Sequence, residues 1–124
     1  MKSTVLLTCT QLLAISGDSI QCDRIPMRDL GDGGPFHSSY VAPEIYRARC
    51  QKERELGVAA KARMQEFLDT PGVQVFYSGN QGFLEWPLVR VILPNGRSAG
   101  SVLMEEGLVQ VMPSDEFPDW CNEN

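Results

Sequence analysis

Histidine is nearly absent: His37 is the only one in 124 residues. No Ser/His/Asp or Cys/His nucleophile set can be assembled around it, because the other members have no signature. A lone loop histidine is more often solvated than a ligand or a base. The four cysteines, Cys9, Cys22, Cys50 and Cys121, contain no C-x-x-C pair, which argues against a zinc site. No apolar run reaches the ~20 residues that a membrane-spanning helix needs. Basic residues are outnumbered, 11 Lys and Arg against 16 Asp and Glu, for a net charge of −5. That is the wrong sign for gripping nucleic acid over a long footprint, where phosphates call for Lys and Arg. It leaves room for a small site with a local positive field. Internal repeats and low-complexity linkers are also lacking.

What is present fits one domain with a real core, residues 1–124, ending in an acidic tail over 113–124. Composition is that of a globular protein, 43% hydrophobic and 22% charged. Thr4 to Ile15 is β-like around a polar break. The same start, with Lys2, an apolar stretch and Ala14-Ile15-Ser16, also reads as a short signal peptide interrupted by polar residues. Ser19–Cys22 and Ile25–Leu30 form a predicted hairpin about Asp23-Arg24. Gly31–Ser39 is a predicted loop. The spacing of Leu56, Ala60, Met64 and Phe67 predicts a helix over Gln51–Leu68 with those four buried. Strands follow over Val73–Ser78 and Trp86–Leu93, then a Pro94-Asn95-Gly96-Arg97 turn, a helix over Ser101–Glu106 closed by Gly107, and a strand over Leu108–Met112. Arg47, Arg49, Lys52, Arg54, Lys61 and Arg63 gather around the first helix. With Glu53, Glu55 and Glu66 interleaved, they read as a solvated helix face with i,i+4 pairs.

The cysteines allow two readings. An even count on a small domain suggests two bridges formed in an oxidising compartment. Cys9–Cys22 would join neighbouring strands, and Cys50–Cys121 would tie the tail to the start of the first helix. Otherwise all four are reduced, some buried as small apolar residues.

The residues that carry chemistry lie in three short stretches: Gly17-Asp18-Ser19-Ile20, Met27-Arg28-Asp29-Leu30-Gly31 and Ala42-Pro43-Glu44. Carboxylates hold a hard divalent cation through oxygen, an arginine fork matches phosphate oxygens, and a carboxylate beside a metal can take a proton from water. In order and spacing these stretches resemble the thermonuclease (staphylococcal nuclease-like) family, with its Asp-Gly-Asp-Thr turn and Arg-Leu-x-Gly-x-Asp-x-Pro-Glu segment. The resemblance runs from about Ala14 to Met112. It takes in Ile45–Leu68 as the family's first long helix with its approach, and Gly100–Val109 as its second.

The resemblance implies a mainly β fold with helices (α+β): a five-stranded Greek-key barrel of the oligonucleotide/oligosaccharide-binding (OB-fold) type, with one long and one short helix. It assigns Asp18 as a metal ligand, Arg28 as the phosphate-binding arginine and Glu44 as the general base. The chain departs from the family at Ser16, where the first turn acid belongs, at Val41, where an acid precedes the proline by two, and at Trp86, where the second arginine belongs. It also carries extra residues between Gly31 and Ala42. Asp32, in that insertion, is the acid expected to replace the missing metal ligand. Asp29 is the other spare acid, but strand parity turns it away from Arg28. Trp86 is either a stacking platform for a base or sugar, or core and edge packing. Arg90 shares the parity of Trp86 but lies too far along the strand to replace the lost arginine.

These departures imply a domain derived from a metal-dependent phosphodiesterase, catalytically weak or inactive, acting by binding or assembly. The alternative is a calcium-dependent endonuclease with a site rebuilt from Asp18, Arg28 and Glu44, acting on single-stranded nucleic acid. The implied cofactor is weakly held Ca²⁺. The implied partners are single-stranded nucleic acid, a nucleotide or a protein, with no membrane and a monomeric state. Location follows the cysteines: periplasmic or secreted if bridged, cytoplasmic otherwise.

Overall fold

A computed structural model describes residues 4–112 and 119–122. The acidic tail over 113–124 therefore falls mostly outside the described residues. The fold is α+β. Strands β1 (Val5–Leu6), β2 (Leu12–Ala14), β3 (Ser19–Cys22), β4 (Ile25–Asp29), β6 (Gln74–Gln81) and β7 (Pro87–Ile92) form one sheet in the order β1-β6-β7-β4-β3-β2. Between β4 and β6 come β5 (Tyr40–Val41) and helix α1 (Gln51–Leu68). Helix α2 (Ala99–Glu105) and β8 (Gln110–Val111) follow β7, and β8 pairs with β5 as a separate two-stranded ladder. All sheet pairings are antiparallel except β4 with β7, which is parallel at Arg28↔Leu88 and Asp29↔Val89. The expected five-stranded closed barrel is thus replaced by a mixed six-stranded sheet. Its end strands β1 and β2 do not pair with each other among the described residues, so the ladder does not close.

The β3–β4 hairpin turns at Asp23 (φ 50°) and Arg24 (φ 75°). Two successive positive φ angles give the twist that a two-residue hairpin requires. Asp23 tolerates that region, and its carboxylate also accepts the Gln11 N–H at 2.7 Å. Helix α1 starts where predicted because the Cys50 sulfur accepts the Glu53 N–H at 3.4 Å as an N-cap. Its inward face is Glu53, Gly57, Ala60, Met64, Phe67 and Leu68. Ala60, Met64 and Phe67 are buried as predicted, but Leu56 is only half-buried and Gly57 takes the inner place at that end of the stripe. The reason is close approach. A Cβ on Gly57 would stand 2.8 Å from the Glu44 carbonyl oxygen and 3.0 Å from that of Pro43, so the chain over 43–44 lies directly on the helix.

The core sits between α1, α2 and the sheet, around Ile20, Tyr40, Met64, Val89, Val91 and Leu103, all at 0% exposure. Both disulfides are formed, Cys9–Cys22 and Cys50–Cys121. The second spans 71 residues in sequence and adds about 4 kcal/mol in the chain-entropy account. Among the described residues no helix is long and apolar enough to cross a membrane.

Candidate functional site

Three sequence-nominated residues reach one groove. Asp18, Arg28 and Glu44 line a cavity of about 620 Å³ that opens between the β3–β4 strands and the chain over 41–47. Val41 and Trp86, the two positions at which the resemblance leads one to expect an acid and an arginine, line it as well. Strand parity sends Arg28 to the groove and Asp29 to the core. Asp32 is exposed and is not among the lining residues. The expectation that it joins Asp18 is therefore not met: the Gly31 turn keeps that acid outside the groove, and it contributes a favourable charge to Arg97 instead. Arg90 is also elsewhere, donating to the Gly31 carbonyl at 2.9 Å.

The two central charges satisfy each other. Asp18 is 7% exposed. Its Oδ1 accepts the hydroxyls of Ser16 at 2.9 Å and Ser19 at 3.0 Å. Its Oδ2 accepts the Ala42 N–H at 2.9 Å and faces Arg28 Nη1 at 3.2 Å. Three hydrogen bonds and one ion pair engage most of the roughly four acceptor sites of the carboxylate. Arg28 donates its other terminal nitrogen to the Tyr40 carbonyl at 2.7 Å, and its Nε is buried without a partner. Both residues thus fasten β4 to the β5 segment. Ser16 supplies a hydroxyl donor to Asp18 and no second carboxylate.

Behind the groove lies a second polar cluster. Asp29 is fully buried; its Oδ1 accepts the N–H groups of Gly31 (3.1 Å) and Val91 (3.3 Å). Tyr40 Oη lies 2.7 Å from Asp29 Oδ2 and 3.0 Å from the Gly17 carbonyl. Burial pushes the Asp29 carboxyl up to about 6 against the opposing pull of these hydrogen bonds and Arg28. Burial, helped by Asp29 and Asp18, pushes the Tyr40 hydroxyl well above its ordinary value, so it stays a neutral donor.

The groove wall is set by a residue that the sequence placed in solvent. Glu53 is 2% exposed. It accepts the backbone N–H of Glu44 at 3.0 Å and of Arg49 at 3.1 Å, and the Arg49 Nε at 3.3 Å. Burial raises its carboxyl, but the Arg49 and Glu44 donors outweigh that and hold it below its ordinary value. The first-turn position in a helix entered by an irregular segment was the available signal; helix periodicity alone could not give it. Glu53→Ala strips two backbone donors of their acceptor, each costing roughly 1–3 kcal/mol. We expect a loss of about 3 kcal/mol in urea unfolding, with Glu53→Gln recovering part of it; an unchanged midpoint for the alanine variant would refute this role.

The rim is apolar. Phe83 is 87% and Tyr46 86% exposed, and both line the groove with the half-buried Trp86. Phe83 belongs to a 3₁₀ turn, Phe83–Glu85, in which Leu84 (φ 60°) and Glu85 (φ 59°) are left-handed. Trp86 belongs to neither the buried core nor its packed periphery, which leaves its ring available from the groove side.

Of the carboxylates nominated for Ca²⁺, Asp18 is engaged by three hydrogen bonds and by Arg28, and Asp32 is outside the groove; Val41 offers no side-chain oxygen. Glu44 alone is an exposed lining carboxylate. This donor set does not fit a calcium ion, which takes six to eight oxygens. Among the described residues no group of three His, Cys, Asp or Glu side chains could hold a metal. Comparison with known proteins gave no matching family model and no matching curated relative.

Proposed function

We propose that this chain is a thermonuclease-like domain that has exchanged hydrolysis for binding, with an architecture derived from the five-stranded OB-fold barrel. The observation that carries this reading is the closed circuit at Asp18: its carboxylate accepts hydrogen bonds from Ser16, Ser19 and Ala42 and is ion-paired with Arg28. A metal or a phosphate arriving there would have to displace internal bonds. The groove offers stacking in their place, from Phe83, Tyr46 and Trp86. The ligand best suited to it is a short single-stranded nucleic acid or a nucleotide, held chiefly by base stacking. The two bridges suit a periplasmic or secreted location.

A rebuilt, active site remains the second reading, because Asp18, Arg28 and Glu44 do line the same groove. The deciding assay is cleavage of single-stranded DNA with Ca²⁺, against EDTA and a Glu44→Gln variant. We expect cleavage at least about a thousandfold below that of an intact site, since one transition-state charge donor is worth about 10²–10³ and a phosphoryl-stabilising arginine about 10³–10⁵. Calcium should bind at about 10⁻⁴ M or more weakly by calorimetry. Robust calcium-dependent cleavage abolished by Glu44→Gln would make the enzyme reading the better one.

A further inference from the structure

The two bridges do different work. Cys22 is buried in the core at the end of β3, and its strand is already paired there through Leu12↔Cys22. The neighbouring Asp23 N–H donates to the Gln11 carbonyl at 2.9 Å. Reducing Cys9–Cys22 would leave those links in place. Cys50 and Cys121 are both half-buried, within reach of a reductant, whereas in the other bridge Cys9 is half-buried and Cys22 is buried. Among the described residues, no hydrogen bond joins 119–122 to the rest of the fold; the one drawn there is local, from Cys121 N–H to Asp119. Among the described residues, the links of 119–122 to the fold are its bridge and the packing of Trp120.

That packing bears on the groove. Trp120 is 7% exposed and lies against a second cavity of about 270 Å³ lined by Val41, Ala42, Glu44, Arg47, Arg49 and Glu53. Four of these, Val41, Ala42, Glu44 and Arg47, also line the groove. The chain over 41–47 is therefore a shared wall, with the groove on one side and the indole on the other. At its far end it runs into Cys50, whose sulfur both caps α1 and forms the bridge.

We propose that Cys50–Cys121 is a reducible latch: opening it frees Trp120 and loosens the groove wall over 42–49 while the sheet and α1 stay folded. The chemistry is ordinary exchange with an external dithiol. A thiolate attacks one bridge sulfur and displaces the other as thiolate. The second thiol of the reductant then breaks the mixed disulfide. Two electrons and two protons pass to the protein, which gains two thiols, and the reductant leaves as its own disulfide. Glu53 keeps its hold on Glu44 and Arg49, so the wall loses its outer support and not its root. The consequence for a ligand rests on the binding reading above; the readouts below do not.

The test is a titration with dithiothreitol in a Trp86→Phe background, where Trp120 is the only indole. Alkylation and peptide mass analysis should find Cys50 and Cys121 modified at reductant levels that leave Cys9 and Cys22 bridged. Over the same range Trp120 emission should shift to the red, and amide exchange over 42–49 should rise at least about tenfold, with β3, β4 and the centre of α1 unchanged. A Cys50→Ser, Cys121→Ser double variant should show the opened state without reductant, because serine still caps the helix. Prior reduction of Cys9–Cys22, concerted unfolding, or an opened bridge with unchanged emission and unchanged exchange over 42–49 would each overturn the latch.

Discussion

Val41→Asp combined with Trp86→Arg is expected to raise calcium-dependent cleavage of single-stranded DNA by at least about a hundredfold over the unmodified chain. Both positions line the groove that Asp18, Arg28 and Glu44 already share, so neither side chain has to be turned around. The new arginine would supply a second cation to the groove, where the Nη1 of Arg28 is already committed to Asp18. The new aspartate would add a second carboxylate to the groove beside Asp18, whose own oxygens are engaged by Ser16, Ser19, Ala42 and Arg28. The single variants separate the contributions: Trp86→Arg should recover phosphate affinity without metal dependence, and Val41→Asp should tighten calcium binding without much rate. Rates of the double variant equal to those of the parent, with the fold intact by circular dichroism, would mean that the groove is not a phosphodiesterase site in outline.

The second large effect is on stability and its dependence on pH. Asp29 has a folded value of about 6 against an ordinary 3.8. An acid raised on folding contributes most when it is protonated in both states. Its contribution is complete below 3.8, fades as pH rises, and is gone above about 6. Two units correspond to about 3 kcal/mol. Glu53, Glu105 and Glu106 are lowered from 4.5 and act in the opposite sense, weakening the fold only as pH falls below that range. Stability should therefore peak at about pH 4.5, decline to about pH 6 and be level from there to pH 8.

Geometry accounts for the direction. Tyr40 has one hydroxyl hydrogen and two acceptors, Asp29 Oδ2 and the Gly17 carbonyl. Protonated Asp29 donates to Tyr40, which donates on to Gly17, and the chain of bonds is complete. Asp29→Asn should mimic this arrangement at all pH values. We expect it to be about 2 kcal/mol more stable than the parent at pH 8, less than the full amount because the second amide hydrogen lacks a partner. Its urea midpoint should be flat between pH 5 and 8; a slope equal to that of the parent would show that Asp29 is not the titrating group.

Local order was legible in the sequence. Helix α1 starts and ends at the predicted residues because its signals are local: a cap, a regular apolar spacing and the Asp69 stop. The Asp23-Arg24 turn was equally clear. Parity along β4 correctly separated Arg28 from Asp29. What could not be read was which long-range partner each side chain meets. Asp18 looked like a ligand because its donors come from Ser16, Ser19, Ala42 and Arg28, brought together only by folding. Glu53 looked solvated because the chain that buries it arrives from outside the helix. The ladder was miscounted because β1 is two residues long and its pairing with β6 lies 70 positions away, Val5 to Tyr77 at 72. Closure of a barrel is likewise a property of strand ends that no short window contains.

The parallel seam between β4 and β7 places Arg28 opposite Leu88 and Asp29 opposite Val89, with adjacent residues on opposite faces. A shift of one residue would carry a guanidinium into the core and a carboxylate into the groove, so both errors would arrive together. Gains and losses of sequence length are consequently not interchangeable along this chain. One residue added at the Asp23-Arg24 turn reverses two charges, whereas the same residue added among the exposed positions of Gly31–Ser39 leaves the seam untouched. That loop is where descendants of this chain are free to differ in length, and the hairpin before it is where they are not.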